Sequence, residues 1–399
     1  MAGRRQGSRL SSDQASGLIA ARFAFPVMAV PFLAVAALLV AVWAQGGAKL
    51  ALASAIGVGA GIALYHAAFG FTAHWRRFLA EGRGAGFRAQ LLLIGLTACI
   101  TFPLIGWGAM LGLDVRGSVA PLSAGLCVGA FVFGFGMMFA GGCGSGTLFT
   151  VGGGSTRMVV TLAAFIAGSV LGTLNVLWWR GLPDLGRYGL VRDWGVVPAL
   201  GAFCAILAGF ALLSIRRERR LHGALEQGRA HGSLVHGPWS LLTGALALAA
   251  VSVATLVLLG RPWGITSAFT MWGGKIATAA GVDLASWPYW QTRMRWMESS
   301  VWDDATSVMN FGIIAGAMLA ASLAGRFRPT LALTARDLAT AILGGLCMGY
   351  GARIAYGCNI GGFLGGSISG SVHGLVWMLA ALAGSAAALK LTTGRGFAR

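Results

Sequence analysis

Apolar runs of about 20 residues, long enough to cross a bilayer as a helix, alternate along this chain with short polar stretches. They fall at 24–44, 48–68, 89–110, 119–140, 157–178, 196–214, 239–259, 305–324, 337–356 and 372–390. The pattern predicts an all-α integral membrane protein with about ten transmembrane helices. The polar stretches are not equivalent. Alternate stretches carry 20 of the 30 basic residues, including Arg76, Arg77, Arg83, Arg88, Arg157 and the cluster at 216–220. The other set holds nine, and Arg353 falls inside a run. Basic loops stay on the cytoplasmic side, so both termini are expected there.

A second periodicity lies over the first. Gly129, Gly134, Gly136, Gly142, Cys143 and Gly146 recur at an offset of 215 as Gly344, Gly349, Gly351, Gly357, Cys358 and Gly361. Upstream, Gly70-Phe71-Thr72-Ala73 resembles Gly264-Ile265-Thr266-Ser267, at an offset of 194. The span before Gly70 runs inward and the span before Gly264 runs outward, so the copies have opposite orientation. Inverted repeats of this kind put a transporter's substrate site near the midplane, where the copies meet. The expected layout is a tail at 1–23, a first membrane half at 24–214 with one copy at about 48–178, a basic cytoplasmic linker at 215–237, a second half at 238–390 with the other copy, and a tail at 391–399. The extra residues of the second copy fall in 281–304. This stretch is rich in Trp and charge, as suits an external interface segment.

The repeated positions carry the candidate chemistry. Gly142, Cys143, Gly144, Ser145, Gly146 and Thr147 form one glycine-dense break; Gly357, Cys358, Asn359 and Gly361 form its partner. Such glycine opens a helix, and broken backbone at membrane depth is tolerated only inside the protein or along a wet cavity. The N–H groups freed at the start of the next short helix attract anions. Short re-entrant helices meeting near the midplane are therefore expected, each starting beside a thiol. Ser145, Thr147 and Asn359 add hydrogen-bonding groups. Gly70 with Thr72, and Gly264 with Thr266, form a second pair of breaks. Arg353 lies five residues before Cys358. A charge inside a span is costly enough to signal function, here the balancing of an anion. Cys99, Cys127, Cys204 and Cys347 sit in no repeated break and are read as small buried hydrophobes.

Composition removes other classes. The chain has 56% hydrophobic and 11% charged residues, with a mean hydropathy of +0.74. Its net charge of +18 sits between apolar runs, not on one soluble face, so no nucleic acid is expected as a partner. Without a CxxC pair, a disulfide scaffold or zinc site is not expected. No P-loop is present, and no carboxylate lies in mid-span to relay protons. No cofactor and no catalytic role are expected. The first 20 residues lack a cleavage-site pattern, so no cleaved signal peptide is expected.

The stretches GFGMMFAGGCGSG and MGYGARIAYGCNIGG resemble the YeeE/YedE, or sulphur-transport, family of bacterial inner-membrane proteins. PWGITSAFTMWGGK, VDLASWPYWQ and SVMNFG are similar to its longer members, and the resemblance covers roughly 50–390. It implies uptake of a small sulfur-containing anion, thiosulfate first, or of a selenium or other sulfur species, through an hourglass-like fold in the inner membrane. It also implies that cysteines on the path touch the substrate sulfur, which carries over to Cys143 and Cys358. Family members often have Cys where this chain has Gly70. The chemistry agrees, since helix-start N–H groups hold a dianion while a thiol offers a polarisable S–H to a soft terminal sulfur. Two other readings stand beside transport. A thiol oxidoreductase using Cys143 and Cys358 needs their Cα atoms about 4.4–6.8 Å apart. A membrane scaffold would use the basic linker to dock a cytoplasmic sulfur-accepting protein.

Overall fold

The computed structural model describes residues 12–228, 232–329 and 332–393. The outer parts of both expected tails, and Arg229 of the linker, lie outside the described residues. The chain is all-α: among the described residues only isolated bridges occur, such as Ser123 with Asp184 and Gly189 with Ser371. Its helices are α1 (Ser12–His66), α2 (Phe71–Arg76), α3 (Ala85–Trp107), α4 (Ala124–Ala140), α5 (Gly144–Gly152), α6 (Thr156–Gly181), α7 (Leu190–Trp194) and α8 (Val196–His222). They continue as α9 (Leu241–Leu259), α10 (Thr266–Ala279), α11 (Pro288–Gln291), α12 (Met294–Glu298), α13 (Ala305–Leu323), α14 (Ala335–Ile354), α15 (Gly365–Ser367) and α16 (Val372–Thr393). A π-helical turn, Asn359–Leu364, leads into α15.

Nine helical stretches among the described residues are long and apolar enough to cross a membrane. The first, Ala29–Glu81, is 53 residues long and holds two of the expected spans. Gly47 separates them with φ 73° and ψ −176°, a backbone turn that a β-carbon would oppose. Helix starts are capped by side chains that accept backbone N–H groups: Ser123 from Leu126, Ser240 from Thr243, and Asp304 from Ser307. Thr334 and Asp337 form a reciprocal capping box at α14. The expected boundary at 214/215 falls inside α8, which continues to His222. Its Arg, Glu and Leu residues are good helix formers, so the helix need not stop where the apolar run stops.

Contacts between loops sort them into two faces. His66 and Trp239, Gly84 and Glu218, Arg157 and Asp337 meet on one, the arginine-rich face. Arg116 and Gly260, Leu122 and Gly186, Leu190 and Gly370 meet on the other. Glu218 ties the first face together. Its carboxylate has no exposed surface and accepts from Arg88 (2.7 Å) and from the N–H groups of Gly84 (3.1 Å) and Glu226 (2.8 Å). Replacing Glu218 with alanine should lower stability by about 2 kcal/mol, since charge-assisted bonds are lost while the arginines still reach water. Thermal unfolding in detergent measures this.

The helices pair crosswise. The second half of α1 lies on α13, α3 on α9, α6 on α14, and α4 on both α14 and α16. Lipid gives no hydrophobic drive to these pairings, so close backbone approach must hold them. Glycine provides it. A β-carbon at Gly61 would strike the carbonyl of Ile313, one at Gly316 that of Val58, and one at Gly349 that of Phe165. On α4 and α14 the repeated glycines face each other, Gly129 against Gly351 and Gly136 against Gly344.

Candidate functional site

The cysteines of the two breaks share one backbone conformation. Cys143 sits at φ −90°, ψ −170° and Cys358 at φ −92°, ψ −167°, each the residue before a short helix. The preceding reversal uses Gly141 at φ 80° in the first break. In the second, Tyr356 takes φ 62°, a conformation unfavourable for a side chain of this size, ahead of Gly357 at φ 144°. The Cζ of Arg180 lies 5.7 Å from the centre of the Tyr356 ring.

The breaks meet inside the protein. A β-carbon on Gly144 would lie 3.0 Å from the Cys358 thiol and 3.8 Å from Ile265, and one on Gly361 would lie 3.9 Å from the Cα of Gly264. Thus the starts of α5, α10 and the 359–364 turn converge. Gly70, at the start of α2, borders Phe149 of α5, and the ring of Phe71 meets that of Phe363 at 6.0 Å. Cys143, Cys358, Ser145, Thr147 and Asn359 have no exposed surface. The Cys143 sulfur accepts from the N–H of Gly146 at 3.3 Å and lies 3.5 Å from the Ser145 hydroxyl. Thr147 donates to the carbonyl of Cys143 at 2.8 Å, so its hydroxyl proton is committed to the break itself.

Several buried polar atoms here have no protein partner: both amide atoms of Asn359, the Thr72 hydroxyl, the Trp263 indole N–H and the Asn310 carbonyl oxygen. Each would cost about 1–3 kcal/mol if nothing met it. Asn310 also donates to the carbonyl of Ile265 at 3.0 Å, which fixes the second break. Sequence reasoning placed Trp263 beside the second break but passed over Asn310, for which an amide in an apolar span was the available signal. Gly70 and Gly264 are the roomy positions. A β-carbon at Gly70 meets only the Phe149 ring, at 3.7 Å, and one at Gly264 meets only Arg261, at 4.0 Å. Gly70→Cys should therefore fold normally, changing stability by less than about 0.5 kcal/mol, as thermal unfolding will read.

Arginines stand at both ends. On the arginine-rich face, Arg76 donates to the carbonyl of Met138 (2.7 Å) and Arg157 to that of Phe139 (2.8 Å), two cations at the carbonyl end of α4. With Arg336, Asp337 and Gly141 they line a cleft of about 440 Å³ below the first break. On the opposite face Arg353 occupies the last turn of α14. It donates to Thr270 (2.9 Å) and to the hydroxyl of Tyr289 (3.2 Å), away from the helix start beside Cys358. Within the Trp-rich segment one residue packs inward: Trp290 has no exposed surface and donates to Thr173 at 3.0 Å, so it is not an interface residue.

The fold and site define an all-α, multi-pass membrane protein with paired glycine–cysteine helix breaks. The chain belongs to the sulphur transport family, whose sequence profile matches residues 66–387. Over 147 residues it is 28% identical to a protein named probable transporter YedE from Escherichia coli K12, covering 37% of this chain and 36% of that one. The protein of the same name from Salmonella typhimurium LT2 matches to the same extent. The chain thus spans about a third of the length of these two relatives. Over 264 residues it is 29% identical to the thiosulfate transporter TsuA of Spirochaeta thermophila, covering 60% of this chain and 69% of that one.

Proposed function

We propose that the protein imports a small sulfur-containing oxyanion, thiosulfate first, along a path from the opposite face past Cys358 and Cys143 to the arginine-rich face. The arginine-rich face is the cytoplasmic one, the membrane is the bacterial inner membrane, and the two copies form an inverted repeat. The observation that carries this reading is the meeting of the two breaks, where one thiol begins each short helix and unpartnered polar atoms surround them. The crossed glycine pairs support the inverted repeat: adding 215 to Gly129 and Gly136 gives Gly344 and Gly351, so the α4–α14 contact maps onto itself. The named activity of the TsuA relative points to the same substrate class.

The chemistry follows from the groups present. Backbone N–H groups at Gly144 and Ser145, and their counterparts after Cys358, face a dianion with partial positive charge. The Asn359 amide and the Thr72 hydroxyl supply further contacts once a substrate or water arrives. A thiol gives a weak S–H contact to the terminal sulfur, and weak successive contacts let the anion leave as well as enter. The thiols have no exposed surface, so passage requires the short helices to part. The test is uptake of labelled thiosulfate by cells without their own sulfate and thiosulfate importers. Expression of the wild-type chain should confer uptake. No uptake of thiosulfate alongside uptake of selenite or another sulfur anion would reassign the substrate; no uptake of any would overturn transport.

A further inference from the structure

The segment 281–304 forms one wall of an open cleft of about 640 Å³ on the opposite face, lined by Arg293, Arg295, Arg353, Ser267, Tyr289 and Thr292 among others. None of its lining residues is acidic. The ion pairs among the described residues involve none of these three arginines. Two of the cations bracket one ring: the Cζ of Arg293 lies 4.4 Å from the Tyr289 centroid and that of Arg353 lies 5.7 Å from it. Arg293 also donates to the carbonyl of Tyr289 (2.9 Å) and to Thr292 (3.0 Å), so both guanidinium groups are fixed. The Arg353 Nε is buried and has no partner. A partly buried cation without a carboxylate is costly, and clustered like charges add to the cost.

The cleft adjoins the second break. Ser267 lies next to Thr266, where α10 begins at the second break, and Thr270 stands one turn further along, holding Arg353. We infer that Arg293 and Arg295 of segment 281–304, together with Arg353, form an anion-capture site for a doubly charged tetrahedral oxyanion of the sulfate and thiosulfate class. Planar, donor-rich guanidinium groups match such oxygens better than ammonium groups do. The site selects for double charge and raises the local concentration of dianion at the outer mouth. Its role in feeding the central path rests on the proposed transport; its binding of dianions does not.

The test uses the purified full-length protein in detergent, with thiosulfate, sulfate and chloride as probes, read by the fluorescence of Trp296, which lines the cleft and stacks on Trp290. Both dianions should bind and chloride should not compete at equal ionic strength. Arg293→Gln and Arg353→Gln should each weaken dianion binding about tenfold, with Arg353→Lys recovering part of the loss. In uptake assays the same variants should raise the KM about tenfold and leave the maximal rate unchanged. Arg293→Gln guards against misfolding, because its side chain lies at the surface end of the cleft. Unchanged affinity in both glutamine variants, with wild-type thermal stability, would overturn the site. Dianion binding that is lost in the variants of a protein without uptake would uphold the site and overturn transport; uptake with unaltered KM in both variants would do the reverse.

Discussion

Thiosulfate uptake should fall about tenfold when Cys143 is replaced by alanine, and about tenfold again when Cys358 follows. On the proposed path each substitution removes one polarisable contact worth about 1.4 kcal/mol, which is a factor of ten in rate. Neither should unfold the protein. The change removes a single sulfur, and the backbone of each break is held by other bonds: Thr147 to the carbonyl of Cys143, and the N–H of Gly362 to the carbonyl of Cys358 at 2.7 Å. Serine should recover only part of the loss at Cys143. The Cys143 sulfur already accepts from Gly146, and a harder, shorter hydroxyl would turn further toward that N–H. Initial rates at matched expression check this. Full uptake in the double alanine variant would reduce the thiols to packing groups.

Gly134→Leu should abolish folded protein in the membrane. A β-carbon at Gly134 would strike the carbonyl of Ala381, and one at Gly384 that of Phe131, so α4 and α16 approach through glycine from both sides. Neither obstacle is the movable end of a side chain. Even alanine forces the helices apart, and leucine should cost about 3 kcal/mol or more. The Ser385 hydroxyl donates to the carbonyl of Gly134 at 3.1 Å and would be displaced with it. Yield of monodisperse protein after detergent extraction reads the effect. Gly181→Leu, at a position where a β-carbon meets nothing, is the control and should extract normally.

The sequence made the membrane class and the paired breaks plain, because both are written in local pattern: apolar runs of bilayer length, and two Gly-Cys clusters at a fixed offset. It did not separate two uses of glycine. Gly129, Gly136, Gly344 and Gly351 repeat together with the cysteines, yet they face one another across a helix crossing. A crossing joins residues about 215 apart in the chain, and no local signal distinguishes it from a break. Arg353 read as an aid to the nearby thiol by spacing alone. Its partner Tyr289 comes from the inserted segment, whose fold depends on packing against α6 and α10. The tryptophans of that segment looked like interface anchors for the same reason; Trp290 is drawn inward because Thr173 and the glycine surface at Gly274 receive it. The polar tract after 214 read as a linker because charge ends a membrane span, although charge does not end a helix.

The proposed path takes substrate between the two cysteine breaks. Purified protein in liposomes, with no other protein present, tests it through entry of radiolabelled thiosulfate into the lumen. Wild type should fill the lumen, while a folded Cys143→Ala/Cys358→Ala variant should fill it about a hundredfold more slowly. Equal rates for the two would show that substrate does not pass between the cysteines.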